Sequence, residues 1–151
     1  MKTLFATLLL VLSAATLTAQ TKNLHYDAAL AKKYGAADNG MKMYVLVILK
    51  TGPNTTTDKA FRDSCFAGHM NNIGRLVTVG KLVVAGPLGK NDKTYRGIFI
   101  LNVTTFEEAN QLLETDPAIH SKILEPELYN WYGSAALPAY LEAEDKVWKE
   151  R

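Results

Sequence analysis

His69 and Asp116 are the two side chains whose type and placement suit proton transfer. Plotted at about 100° per residue, His69 falls inside an apolar arc with Phe61, Cys65, Phe66, Met70, Ile73, Leu76 and Val77, whereas Asp63, Ser64, Asn71, Arg75 and Thr78 take the opposite side. Asp116 falls in angle between Leu112 and Leu113, in the last turn of a second helical pattern, where the macrodipole favours cations over carboxylates. A polar group on the apolar side of a helix needs a partner once buried. Each of these two suits the other if the helices lie side by side on a sheet. A carboxylate bonded to one ring nitrogen fixes the imidazole tautomer and presents the second nitrogen as a general base or acid. Plainer readings stand beside this one: Asp-Pro is a frequent helix stop, and a core histidine can bond a backbone carbonyl.

Other candidates carry weaker signals. Cys65 precedes His69 by four residues on the same helical face, the spacing of a Cys-His pair, and equally that of a small buried core residue. Arg62 projects to the same side and could bind a substrate carboxylate or snorkel from the helix edge. Tyr44, Tyr129 and Trp131 could line a pocket or pack within strands. His120 is a rival partner for Asp116 by spacing, with Pro117 interrupting the helix between them. His25, His69 and His120 show no metal-ligand spacing, and neither a phosphate-cradling loop nor a dinucleotide fingerprint is present, so no metal or cofactor is expected.

The elements that must position these groups follow from periodicity. Met43–Lys50 is apolar at nearly every position and reads as a strand covered on both faces, stopped by Gly52-Pro53. Asp58 can cap a helix running to about Val79 and ending at Gly80; Gly68 and Gly74 within it fall on the polar side. Lys81–Ala85 is a second strand closed by Gly86-Pro87, and Arg96–Val103 a third. Thr105 with Glu108 forms a capping box for a helix that buries Phe106, Ala109, Leu112 and Leu113 and ends at Asp116-Pro117. Ile123–Trp131 holds the fourth strand, with Pro126 near its start, and Pro138 opens a polar C-terminal helix through Lys149. The order βαββαβ is an α+β, ferredoxin-like arrangement: a four-stranded antiparallel sheet with both helices on one face. Because the first and third strands are apolar on both faces, the second sheet face also needs cover, and a homodimer through that face is expected.

Composition sets the frame. A chain of 151 residues, 48% of them hydrophobic, suits one domain with an ordinary core. A net charge of +2 on scattered basic residues leaves no footprint for nucleic acid. Lys2, the apolar run Leu4–Leu12 and the small residues Ala14–Ala19 lay out a signal peptide over 1–19, too short for a membrane span, so the mature chain is expected to be periplasmic or secreted without a stable membrane anchor. A single cysteine, Cys65, excludes a disulfide scaffold. Residues 20–42 read as a linker with a short helix at Asp27–Lys33, 43–132 as the domain, and 133–151 as a helical tail.

The combination of His69, Gly80, the strand Lys81–Ala85, Gly86-Pro87 and Asp116-Pro117 resembles the YCII-related family of dimeric α/β barrels, in register across about residues 43–132. The resemblance implies that His69 and Asp116 form a catalytic pair in a pocket near the dimer barrel. It implies that Gly86 and Pro87 form the pocket turn; Arg62 and Tyr44, candidates by residue type and position alone, are the further expected substrate-binding residues. It also implies a cofactor-independent lyase, isomerase or hydrolase acting on a small cyclic or aromatic metabolite. Ala118 stands where the family often has an aromatic residue, which implies a roomier pocket. Two other readings stay open: a non-catalytic small-molecule-binding module and a purely structural dimeric domain.

Overall fold

A computed structural model describes residues 23–144 and 146–149, so the expected leader at 1–19 lies outside the described residues. Four strands form one antiparallel sheet: β1 (Met41–Thr51), β2 (Leu82–Pro87), β3 (Tyr95–Leu101) and β4 (Leu124–Ser134), in the order β2-β3-β1-β4. With the helices α2 (Lys59–Thr78) and α3 (Phe106–Glu114) inserted between strands, this is the expected ferredoxin-like α+β fold. β1 is longer than its apolar run because Met41–Met43 still pair with Tyr132–Ser134 of β4.

Alternation along β1 divides the core. Val45, Val47 and Leu49 face the helices, where they meet Leu76, Leu82, Phe99, Leu101 and Leu113. Each fully buried aliphatic side chain of this kind contributes about 1.5–3 kcal/mol. Tyr44 and Leu46 face the other way, into a smaller cluster with Val83, Val84, Ile100, Trp131 and Leu137. Leu137 belongs to a 3₁₀ turn, Leu137–Tyr140, so the C-terminal segment covers one end of the second sheet face. There the Tyr140 hydroxyl donates to the Val83 carbonyl. The long polar C-terminal helix expected from Pro138 is instead this turn followed by the single-turn α5 (Leu141–Glu144).

Asp58 caps α2 by accepting from the Phe61 N–H at 3.1 Å, and Gly80, at φ +70°, turns the chain out of the helix. Of the expected apolar arc, Cys65 and Leu76 are buried while Phe61 and Met70 are exposed, because the arc is wider than the strip the sheet can cover. Thr105 caps α3 through the Glu108 N–H at 3.2 Å, but the Glu108 carboxylate accepts from Lys81 Nζ at 2.7 Å, so the reciprocal half of the capping box is not made.

Asp116 differs most from expectation. It does not end α3; it is the N-cap of a further turn, α4 (Pro117–His120), with Oδ1 accepting from the Ala118 N–H at 2.9 Å. Pro117 explains both facts, since its ring bars continuation of α3 yet suits the first position of a new helix. Before the sheet, α1 (Ala28–Tyr34) matches the expected short helix, capped by Asp27 and tied to the C-terminal segment by the Lys33–Glu142 ion pair at 2.9 Å. No helix among the described residues is long and apolar enough to cross a membrane.

Candidate active site

The site lies on the seam between α2 and the α3–α4 corner. Residues of α2 three and four apart present one face there, and four pairings run along it in opposite chain directions. The Ser121 hydroxyl points at Cys65 Sγ from 3.5 Å; Pro117 packs on Gly68; Asp116 meets His69; Thr115 and Asn72 share Arg75. Arg75 Nη2 donates to Asn72 Oδ1 at 2.8 Å and to Thr115 Oγ1 at 2.7 Å, which fixes the end of α3 against α2. Small and polar residues let these elements approach closely, and so place two ionisable groups in contact.

His69 Nδ1 stands 2.7 Å from Asp116 Oδ2, with side-chain exposures of 12% and 1%. A carboxylate can only accept, so the proton in this bond sits on Nδ1, and in the neutral ring the lone pair is on Nε2. Nε2 has no hydrogen-bond partner among the described residues. The ring is held from two further sides, stacked on Phe99 at 5.7 Å between centroids and edge-on to Phe66 at 6.3 Å. Three contacts on one imidazole leave it little rotational freedom.

His69 opens onto a cavity of about 740 Å³ between α2 and the β2–β3 end of the sheet. Phe66, Ile73 and Val77 form its helix wall, Phe99 its floor, and Gly86-Pro87 its rim along β2. Tyr140 and Glu144 of the C-terminal segment complete the rim. That volume suits a small ring compound, and the walls near His69 are apolar.

The expected residues divide. His69 and Asp116 meet, and Gly86 and Pro87 line the same cavity as His69. Tyr44 does not: the two-residue alternation of β1 turns it to the opposite sheet face, where it is fully buried, lies tilted against Trp131 at 5.5 Å between centroids, and donates to the Ser134 carbonyl at 2.9 Å. Arg62 is also not on the cavity wall; its guanidinium lies over the Phe66 ring, 6.0 Å from the centroid. Cys65 is buried against Ser121 rather than paired with His69. The His120 ring bonds the exposed Glu114 carboxylate, not the Asp116 carboxylate. Ala118 is buried in the helix-side core and does not touch the cavity, so it does not enlarge it.

Asn72, Thr115 and Phe99 had no part in the expected site. Asn72 follows His69 by three residues and so shares its face, a signal present in the spacing. Among the described residues, no group of three or more His, Cys, Asp or Glu converges as metal ligands would.

No protein-family model matches the chain, and no curated protein matches it significantly. Among solved structures, the chain is similar to the 5-chloro-2-hydroxyhydroquinone dehydrochlorinase from Burkholderia phenoliruptrix AC1100, determined in complex with 2,5-dihydroxybenzoquinone. The identity is 22% and the TM-score 0.43, over 58% of this chain and 92% of that one.

Proposed function

We propose that this chain is a cofactor-independent enzyme of the YCII-related type, a lyase, isomerase or hydrolase working on a small cyclic or aromatic metabolite. The observation that carries the reading is the 2.7 Å bond from His69 Nδ1 to Asp116 Oδ2 beside an apolar cavity of about 740 Å³. Nε2 accepts a proton from an acidic C–H or O–H of the bound ring. Asp116 stabilises the imidazolium so formed and keeps the ring aimed, and the same nitrogen returns the proton at a second position. Phe66 and Phe99 exclude water from the exchange and supply flat apolar surface for a ring.

Two further parts belong to this proposal. The half-buried Leu46, Ile48 and Ile98 and the exposed Tyr129 lie on the sheet face away from the helices, and a second copy of the chain covers them. The chain is exported and cut after Ala19; an N-terminal sequence beginning at Met1 or Lys2 on protein from its native host would refute this.

The test is turnover, followed by proton NMR in deuterated water, with a panel of small cyclic acids, lactones and hydroxylated aromatics. His69→Gln is expected to lower the rate at least about 100-fold. An unchanged rate would sink the assignment. A ligand that raises the melting temperature of wild type and Asp116→Asn alike, without turnover, would instead support a binding module.

A further inference from the structure

We infer that Gly68 and Pro117 are the positioning pair of this site, and that the missing side chain at Gly68 sets the distance between His69 and Asp116. The functional consequence rests on the proposed role of those two residues; the geometric claim does not.

The two contacts are adjacent in both elements. Gly68 precedes His69 on α2, and Pro117 follows Asp116 at the start of α4. A Cβ added to Gly68 would lie 2.6 Å from Pro117 Cγ, 3.2 Å from its Cβ and 3.4 Å from its Cδ. Carbon atoms rest about 3.5–4.0 Å apart, so an alanine at 68 requires Pro117 to retreat by about 1 Å. Pro117 cannot turn its ring aside as a longer side chain would, because the ring is part of the backbone. Its neighbours Ala118 and Ile119 are buried, so the retreat carries α4 with it. Asp116 moves too, since its Oδ1 is bonded to the Ala118 N–H of that turn. His69 does not follow, because Phe99 and Phe66 hold its ring. A 2.7 Å bond lengthened by such a step leaves the hydrogen-bonding range, which ends near about 3.2 Å.

Glycine inside a helix disfavours it and calls for a packing reason. The same helix supplies a control: a Cβ on Gly74 would meet nothing within 4 Å. Alanine there changes helix propensity without touching the seam.

The experiment compares the full chain with Gly68→Ala, Gly74→Ala and Gly68→Ala/Pro117→Gly, which removes every Pro117 side-chain atom within 3.4 Å of the new Cβ, reading the His69 ring ¹⁵N shifts and its downfield Nδ1–H proton by NMR. No substrate is present. Gly68→Ala is expected to lose the downfield proton and mix the two ring tautomers; the double variant, relieved of the 2.6 Å collision, is expected to regain the wild-type signature, and Gly74→Ala to keep it. Where a substrate is found, Gly68→Ala should lower kcat by up to about 100-fold with little change in KM. An unaltered His69 signature in Gly68→Ala would overturn the inference, as would a double variant that fails to restore it. Should Gly68→Ala not fold, the double variant decides alone: folded with the wild-type signature it supports the inference, and otherwise it overturns it. A wild-type protein with an intact signature and no turnover would count against the proposed function and leave this inference standing.

Discussion

His69 Nδ1 and Asp116 Oδ2 are 2.7 Å apart, while the second oxygen of the same carboxylate caps α4 through the Ala118 N–H at 2.9 Å. One side chain therefore links α2 to the start of α4 and needs two acceptor oxygens to do so. Asn at 116 has only one. Asp116→Asn keeps the cap only by offering its amide N–H to His69 Nδ1, which moves the ring proton to Nε2 and exchanges a bond to a charged group, about 1.5–3 kcal/mol, for a neutral one of about 0.5–1.5 kcal/mol. Asp116→Ala gives up both, adding about 0.5–2 kcal/mol for the cap. Urea unfolding should rank them wild type, Asn, Ala. Equal midpoints for all three would show that the carboxylate bears no such load.

The two glycines at the cavity end of the sheet should respond oppositely to alanine. Gly86 has open space where a Cβ would go, and its φ is not in the left-handed region. Gly86→Ala is expected to leave stability unchanged or raise it by about 0.4–1 kcal/mol through the unfolded chain. A Cβ on Gly97 would stand 2.8 Å from the Gly86 carbonyl oxygen, a backbone atom in the paired strand. Gly97→Ala is expected to cost about 1–3 kcal/mol. Thermal melts of the two variants check this, and a smaller loss at Gly97 than at Gly86 would contradict it.

The pairing of His69 with Asp116 was legible because both read as charges on apolar helix sides, where neither has a place without a partner, although only His69 lies within such a helix. The succession of strands along the chain was legible from β-branched runs punctuated by Gly and Pro. Other features were hidden for identifiable reasons. Pro117 both stops one helix and starts another, so Asp116 read as a C-terminal residue when it is an N-cap. A helical wheel puts Gly68 with the polar residues but does not say that a second helix packs on that side. β1 is apolar on both faces, so its pattern could not tell which face meets the cavity, and Tyr44 fell on the other one. Tyr140 reaches the rim only because the chain crosses back over the sheet after β4, which no local pattern encodes.

Tyr44 makes an alkaline prediction. Burial raises its phenol above the ordinary 10.0, so the folded state resists its ionisation. The stabilisation from this residue is complete below about pH 10 and is lost as the pH rises through the raised value, because the unfolded chain releases that proton first. Lys42, 4.8 Å over the ring, is shifted down by burial and is present in both proteins, so its contribution cancels in the comparison. Tyr44→Phe should cost about 1 kcal/mol near neutral pH by removing the bond to the Ser134 carbonyl. That difference should shrink as the pH rises above about 10, as measured by denaturant titration. A difference that grows over this range would show the opposite sign.

The proposed second copy on the open sheet face can be separated from folding. Ile98 is half-buried there, opposite Ile48 on β1, and its neighbour Phe99 carries the packing toward the helices. A charge at 98 therefore spares the helix-side core and penalises only what covers this face, since an unpaired charge is expensive to bury. Sedimentation at micromolar concentration should give twice the chain mass for the wild type. Ile98→Lys should give the single-chain mass with an unchanged circular dichroism spectrum. A wild type that sediments as one chain would end the proposal. An Ile98→Lys protein that stays at twice the mass would place the contact between copies on another surface.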